Sequence, residues 1–188
     1  DGITIYDLAL EREFEKGDQV KAFAFSELSV SRTLYQRLAA LSGVPARPLT
    51  LDEIRDKMPD RTQILKFAVL KTRTLAWVIS KDDVSLTPID ISSDALRAKV
   101  ETYYTTLSSP DADLARIDSL SRELYGILIA PIGKKLDPTL DLAIVPNKFL
   151  FYLPFASLTG ERGEPLITAH SLSYSPSASV FVACSAKA

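Results

Sequence analysis

The chain has 188 residues, 46% of them hydrophobic, and a formal net charge of -2. These values fit one globular domain with or without a helical extension, and they exclude a basic surface for nucleic acid or anionic lipid. No apolar run approaches the ~20 residues that span a bilayer. The N-terminus lacks the basic and apolar regions of a signal peptide. A single cysteine excludes an intrachain disulfide and agrees with a cytoplasmic location.

Residues 1–43 are predicted to form a helical lead-in. Asp18 can cap a helix that extends to about Leu41, because apolar side chains recur every three or four residues. These side chains are Phe23, Leu28, Leu34, Leu38 and Leu41. Ser42-Gly43 ends the helix and Pro45 prevents its continuation. The pattern is typical of the last helix in a helical array, although one unit does not establish a repeat.

A short helix and three strands are predicted next. Thr50 and Glu53 match a capping box for a helix that extends to Met58. Two apolar runs, T-Q-I-L-K-F-A-V-L and L-A-W-V-I-S, flank a polar K-T-R-T link and predict a β-hairpin. The third run, V-S-L-T-P-I-D-I, contains Pro88, which favours an edge strand. We expect a three-stranded antiparallel meander with one covered face.

Two amphipathic helices follow the meander. Residues 92–94, S-S-D, can cap a helix over residues 95–107, and the sequence S-S-P-D after it ends this helix. The second helix lies near residues 112–130 and ends before Pro131. Its apolar side is formed by Leu114, Ile117, Leu120, Leu124 and Leu128.

Short strands and one more helix complete the chain. D-L-A-I-V is typical of a buried α/β strand, and the P-N-K turn after it is expected to place Asn147 in the left-handed region. F-L-F-Y-L is predicted as a second strand, and residues 160–165 as a surface loop. In H-S-L-S-Y, Leu172 and Tyr174 share one face of a strand. Ser175, as N-cap, and Pro176 are predicted to begin the last helix.

These motifs together carry a resemblance to a known family. L-A-I-V-P-N-K-F-L-F-Y-L-P-F-A-S-L, followed after a loop by L-S-Y-S-P-S-A-S-V, resembles the opening half of the CHAT domain. CHAT domains are caspase-like modules that are usually joined to tetratricopeptide repeats. The resemblance extends upstream to about Ala22, and it departs from the family in having P-N-K where P-D-G is frequent. It implies that residues 44–188 are the N-terminal, non-catalytic portion of a CHAT-like domain.

The resemblance implies an α/β fold: a helical lead-in, a small antiparallel meander, two helices, then the first strands of a caspase-like sheet. The implied parent is a caspase-like cysteine endopeptidase, or a signalling module derived from one, regulated by attached repeats. Family members carry the catalytic His in an H-G motif and the Cys in a later strand. This sequence has no H-G dipeptide and begins with Asp, so we expect a fragment without catalytic residues. A processed mature chain would look the same.

Cys184 and His170 are the single thiol and imidazole, but we do not predict a catalytic dyad. Caspase-type sites separate the two residues by about 50 positions, far more than here. The expected helix after Pro176 would carry Cys184 as a small hydrophobe. His170 is predicted to be a surface or strand-edge residue.

Other candidate sites lack the spacing that their chemistry needs. Acidic residues occur as Asp82-Asp83 and as Asp52, Glu53 and Asp56, without the spacing of an EF-hand or zinc site. Ser26 and Ser157 have no His-Asp partners, and Lys134-Lys135 does not follow a phosphate-binding loop. Trp77, Tyr103 and Tyr104 are predicted core aromatics, with partner binding as the alternative. We therefore predict no catalytic, cofactor-binding or metal residues and no cofactor.

The open alternative is a non-enzymatic interaction module. It would bind a protein partner through the helical array and a sheet edge. An unpaired edge also invites pairing with a second chain, so we expect some self-association. No partner among nucleic acids or membranes is predicted.

Overall fold

The computed structural model describes residues 4–29 and 47–186. In these residues the helices α1 to α7 are Ile5–Glu15, Gln19–Leu28, Leu51–Lys57, Ser93–Leu107, Leu114–Leu128, Leu166–Ala169 and Ala178–Ser185. The strands β1 to β5 are Thr62–Val69, Thr74–Ile79, Val84–Ile89, Asp141–Val145 and Leu172–Tyr174. Short 3-10 helices cover Ala130–Lys135, Lys148–Tyr152 and Phe155–Ser157. The predicted α/β class is confirmed.

The strands of the described residues form one mixed sheet in the order β3-β2-β1-β4-β5. The antiparallel meander β1-β2-β3 is confirmed, and Pro88 does lie on the edge strand β3. The meander is nevertheless not separate from the later strands, because β1 pairs in parallel with β4, and β4 with β5. From β1 to its parallel neighbour β4 the chain passes through β2 and β3 and then through helices α4 and α5, which form the crossover connection.

Both faces of the sheet are covered, so the prediction of one covered face is wrong. Every residue of β1 and β2 is buried. Because successive side chains of a strand point to opposite faces, Leu65 and Phe67 enter one core while Ile64 and Ala68 enter the other. Helices α4 and α5 cover the first core, which we call the crossover face. Helices α1, α2, α3 and α7 cover the second, which we call the lead-in face.

The described lead-in packs directly against the sheet. Leu10 of α1 and Phe23 of α2 are buried in the core of the lead-in face. The ring of Phe23 meets Trp77 of β2 edge to face, with 6.1 Å between the ring centroids. This contact joins residues on either side of the predicted boundary at residue 43, and the division into two domains stays a prediction.

Residues 4–29 of the lead-in contain two short helices, whereas one longer helix from about Asp18 to Leu41 was predicted. Gly17, with φ 78°, turns the chain between α1 and α2. Asp18 caps α2 as expected, accepting a hydrogen bond from the backbone N–H of Lys21. Helix α2 ends at Leu28, where the hydroxyl of Ser29 bonds back to a carbonyl of the last turn. The predicted continuation through Leu41 to Pro45 lies outside the described residues.

Most helix starts agree with the sequence, but the last one differs. The capping box of Thr50 and Glu53 is formed, and Ser92 caps α4. Helix α7 is capped by Ser177, whose hydroxyl accepts from the N–H of Val180 at 3.1 Å. The predicted cap, Ser175, instead donates its hydroxyl to the carbonyl of Ser177.

The P-N-K turn differs from its prediction, and F-L-F-Y-L forms a 3-10 helix where a strand was expected. Lys148 holds the left-handed conformation, with φ 53°, while Asn147 is extended. The reason lies at the end of β1: Asn147 Oδ1 accepts from the N–H of Val69 at 2.9 Å, and Lys148 Nζ donates to the Val69 carbonyl at 2.8 Å. The side chains of Asn147 and Lys148 thus pair with the backbone N–H and C=O of Val69, and the residues that follow form a 3-10 helix.

Candidate functional site

A buried ion pair stands at the centre of the lead-in face. Lys66 Nζ lies 2.8 Å from Glu27 Oε1, and the two side chains are 1% and 0% exposed. Lys66 is in the middle of β1, on the same face as Ile64 and Ala68. Glu27 is in the last turn of α2. The pair therefore joins the central part of the sheet to the lead-in.

Glu27 also binds the N-terminus of α7. Its carboxylate accepts from the N–H of Ala178 at 3.2 Å, from the N–H of Ser179 at 3.0 Å and from Ser179 Oγ at 2.6 Å. First-turn N–H groups have no partner within their own helix, and the helix dipole favours a negative charge there. Ser179 Oγ in turn accepts from the N–H of Leu49, which precedes α3. Helices α2 and α7 and strand β1 thus meet at one carboxylate, and the residue Leu49, before α3, is joined to it through Ser179.

The surroundings keep this carboxylate ionised. Burial by itself raises the pKa of Glu27, but the charge of Lys66 and the hydrogen bonds from Lys66 and Ser179 outweigh it and hold the pKa below its ordinary value. A buried carboxylate is tolerated only when it is paired and hydrogen-bonded in this way. The arrangement is suited to fixing the relative positions of α2, β1 and α7.

His170 lies in a separate place and is buried, so of its two predicted positions, surface or strand edge, the surface position is wrong. It is 8% exposed and lines a cavity of about 640 Å³ between the 3-10 helix Ala130–Lys135 and the loop 160–165. Its Nδ1 atom is buried and has no hydrogen-bond partner within the described part of the chain. Its backbone N–H closes α6, donating to the Leu166 carbonyl at 3.2 Å. The cavity is of ligand size.

Cys184 is exposed on α7, on the helix that the sequence predicted. It does not line the cavity that contains His170. The structure therefore does not bring the single thiol and the single imidazole of this sequence into one site. The cavity is lined by charged residues of both signs, Lys134 and Arg162 with Glu161 and Glu164, so its walls have no net preference for an anion or a cation.

The acidic candidates are held by local structure. Asp82 and Asp83 lie exposed in the bend between β2 and β3. Asp52 and Asp56 are exposed on α3, while Glu53 closes the capping box and pairs with Arg47 at 2.7 Å. Within residues 4–29 and 47–186, no group of three or more His, Cys, Asp or Glu residues could hold a metal ion.

The serine and lysine candidates bind other parts of the chain. Ser26 Oγ donates to the Phe23 carbonyl within α2, and Ser157 shares a 2.8 Å hydrogen bond with the Tyr103 hydroxyl. Lys135 Nζ donates to Thr87 Oγ1 on β3 at 2.8 Å. Each of these contacts supports the fold.

The aromatic candidates divide between core and surface. Trp77 and Tyr103 are buried as predicted. Tyr104 is 48% exposed, because consecutive helix residues point in different directions and Tyr103 takes the inward position. Tyr104 lines an apolar cleft of about 230 Å³ with Phe149 and Tyr152. Its ring meets that of Tyr152 edge to face, with centroids 6.2 Å apart.

The sequence interpretation missed Glu27 and Lys66. A signal was available: Lys66 interrupts the apolar run I-L-K-F-A-V-L, whose neighbours on both faces are hydrophobic. A charge at such a position predicts a buried partner of opposite sign. The partner itself could not be found this way, because Glu27 has the sequence context of an ordinary amphipathic helix.

None of the helices in the described ranges combines the length and the apolar character that a membrane span requires. In a comparison with known families, residues 118–188 match the model of the CHAT domain. No curated protein matches the chain. The matched residues run from within α5 through β4, β5 and α7. The C-terminal part of this chain, residues 118–188, is thus similar to the CHAT domain, as its sequence motifs indicated.

Proposed function

We propose that this chain supplies the non-catalytic part of a caspase-like cysteine endopeptidase, or of a signalling module derived from one. The similarity of residues 118–188 to the CHAT domain carries this proposal. The position of the two candidate residues supports it: Cys184 is exposed on α7, and His170 lines a cavity that Cys184 does not reach. On this proposal, the parallel strands β4 and β5 brace the part of the module that performs the chemistry.

We also propose that the lead-in belongs to a repeat-type helical array that regulates the module. The packing of α1 and α2 supports this, because their apolar side chains share a core with the sheet. A movement of α1 or α2 would therefore change the packing of the sheet directly. The single cysteine in the sequence further favours a reducing compartment, which we take to be the cytoplasm.

The test compares this chain with the full-length gene product that contains it. Both are incubated with a peptide library, and cleavage is followed by mass spectrometry. We expect no cleavage by this chain, and cleavage by the full-length product that is unchanged when Cys184 is replaced by Ala. Cleavage by this chain that disappears in Cys184→Ala would overturn the proposal.

A non-enzymatic interaction module is the second candidate. It is favoured by the outer edge of β5, which pairs with no other strand in the described residues, and by the half-exposed ring of Tyr174 on that strand. A full-length product that cleaves no peptide, yet forms a complex with a protein partner that Tyr174→Lys abolishes, would favour this candidate.

A further inference from the structure

Glu27 connects two elements that are 151 positions apart in the sequence. Its helix, α2, belongs to the lead-in, and the helix whose N-terminus it binds, α7, lies near the end of the chain. The same carboxylate is the ion-pair partner of Lys66, on the central strand β1. We propose that Glu27 is a conformational latch, through which docking of α2 on the sheet fixes the N-terminus of α7 and undocking of α2 releases it.

The first step of the argument is the cost of undocking. When α2 moves away, Glu27 and Phe23 leave with it, and Lys66 loses its counter-charge while it still lies among apolar strand residues, opposite Trp77 of β2, or must itself move. A buried charge without its partner is strongly unfavourable. Intermediate positions of α2 are unfavourable for the same reason, because both the charge pair and its hydrogen bonds require close contact. The lead-in therefore has a docked and an undocked state with little between them.

The second step is the effect on α7. Undocking removes the acceptor for the N–H groups of Ala178 and Ser179 and for Ser179 Oγ. Ser179 Oγ is also the acceptor for the N–H of Leu49, so its reorientation disturbs the chain that enters α3. The first turn of α7 then keeps the hydrogen bond to its N-cap, Ser177, but loses those to the Glu27 carboxylate. Loss of α2 thus loosens α7 at its N-terminal end.

The third step is reciprocity. If docking of α2 stabilises α7, a change that loosens α7 must weaken docking of α2 by the same free energy. A ligand that binds the undocked lead-in therefore favours a released α7. The latch is a property of this chain and does not depend on whether the proposed peptidase activity is present.

Hydrogen–deuterium exchange followed by mass spectrometry tests the latch on the purified chain. In Glu27→Gln, we expect exchange to accelerate at least about tenfold in both α2 and α7, with less change in β2 and α4. The matched control is Glu15→Gln, which removes an exposed carboxylate from α1 and should leave both helices unchanged. If Glu27→Gln does not fold, the double variant Glu27→Gln/Lys66→Met replaces it with the same expectation, because it leaves no unpaired buried charge.

The reciprocal variant is Ser179→Ala. Ser179 lies on α7 and its hydroxyl donates to Glu27 of α2, so we expect this substitution to accelerate exchange in α2 as well. Ser185→Ala, at the other end of α7, is the control, since its hydroxyl donates to the Phe181 carbonyl of the same helix. Acceleration confined to the helix that carries the substitution, or spread evenly over the sheet, would overturn the latch.

Discussion

Lys66 Nζ lies 2.8 Å from Glu27 Oε1 in the interior of the protein, and this contact joins the central strand β1 to helix α2. The ammonium also lies 5.9 Å from the centroid of the Phe23 ring. The ion pair occupies a buried position of β1 at which the neighbouring strand residues, Leu65 and Phe67, are hydrophobic. Removing one partner and removing both should therefore have different consequences.

We expect Lys66→Met to destabilise the protein by about 3–5 kcal/mol, because the carboxylate of Glu27 stays buried without its counter-charge. Urea denaturation followed by circular dichroism measures this change. Lys71→Met is the matched control: Lys71 is exposed between β1 and β2, and its removal should alter stability by less than about 0.5 kcal/mol.

The double variant Lys66→Met/Glu27→Gln should be more stable than Lys66→Met alone. Its interior contains neither charge, while the amide oxygen of Gln can still accept from Ser179. The same urea titration gives the comparison. A double variant less stable than the single one would show that the carboxylate contributes mainly through its hydrogen bonds to α7.

Asn147→Ala should remove a hydrogen bond from the end of β1. The N–H of Val69 would lose its acceptor, the Asn147 Oδ1 atom 2.9 Å away, and an unsatisfied buried group costs about 1–3 kcal/mol. Faster amide exchange at Val69, observed by NMR, is the direct measurement. Asn147→Asp retains an oxygen at this position and should keep the amide protected; equal exchange in both variants would contradict this account.

Phe155→Ala should cost about 3–5 kcal/mol, because the ring is fully buried in the crossover face. It stacks on Phe67 of β1, with centroids 5.5 Å apart and an interplanar angle of 22°. Phe151→Ala, in the adjacent 3-10 helix, removes a ring that is mostly in solvent and should be close to neutral. Thermal denaturation of the two variants measures the decrease in Tm that each substitution causes.

The pH dependence of stability should include a contribution from Glu53. Hydrogen bonding to Arg47 and to the Thr50 N–H lowers the pKa of Glu53 to about 2. Because the folded-state pKa is depressed, the stabilisation is complete above the ordinary Glu value of about 4.3 and is lost as the pH falls towards about 2. The Tm difference between wild type and Glu53→Gln should shrink over that interval.

The control for this titration is Asp56→Asn, on the same helix. Asp56 is exposed and has no ion-pair partner among the described residues, so its substitution should give a Tm difference that does not follow the Glu53 profile. A Glu53→Gln difference that stays constant down to about pH 2 would argue against the Arg47 contact.

The sequence by itself determined the local elements of this protein. Capping residues such as Thr50 and Ser92, and the short apolar runs of β1 and β2, act over a few positions and gave correct starts for these helices and correct strands. The family motifs near the C-terminus likewise agree with the CHAT-domain match at residues 118–188. These features are visible in sequence because the interactions that produce them are short in range.

Only the tertiary structure decided the rest. F-L-F-Y-L has the composition of a strand, but Asn147 and Lys148 bind the end of β1 and turn it into a 3-10 helix. The meander joins the parallel strands because the backbone N–H and C=O groups on both edges of the buried strand β1 need hydrogen-bond partners, and β2 supplies them on one edge and β4 on the other. The partnership of Glu27 with Lys66 and Ser179 depends on contacts between residues far apart in the chain, and local pattern contains no information about which distant groups will meet.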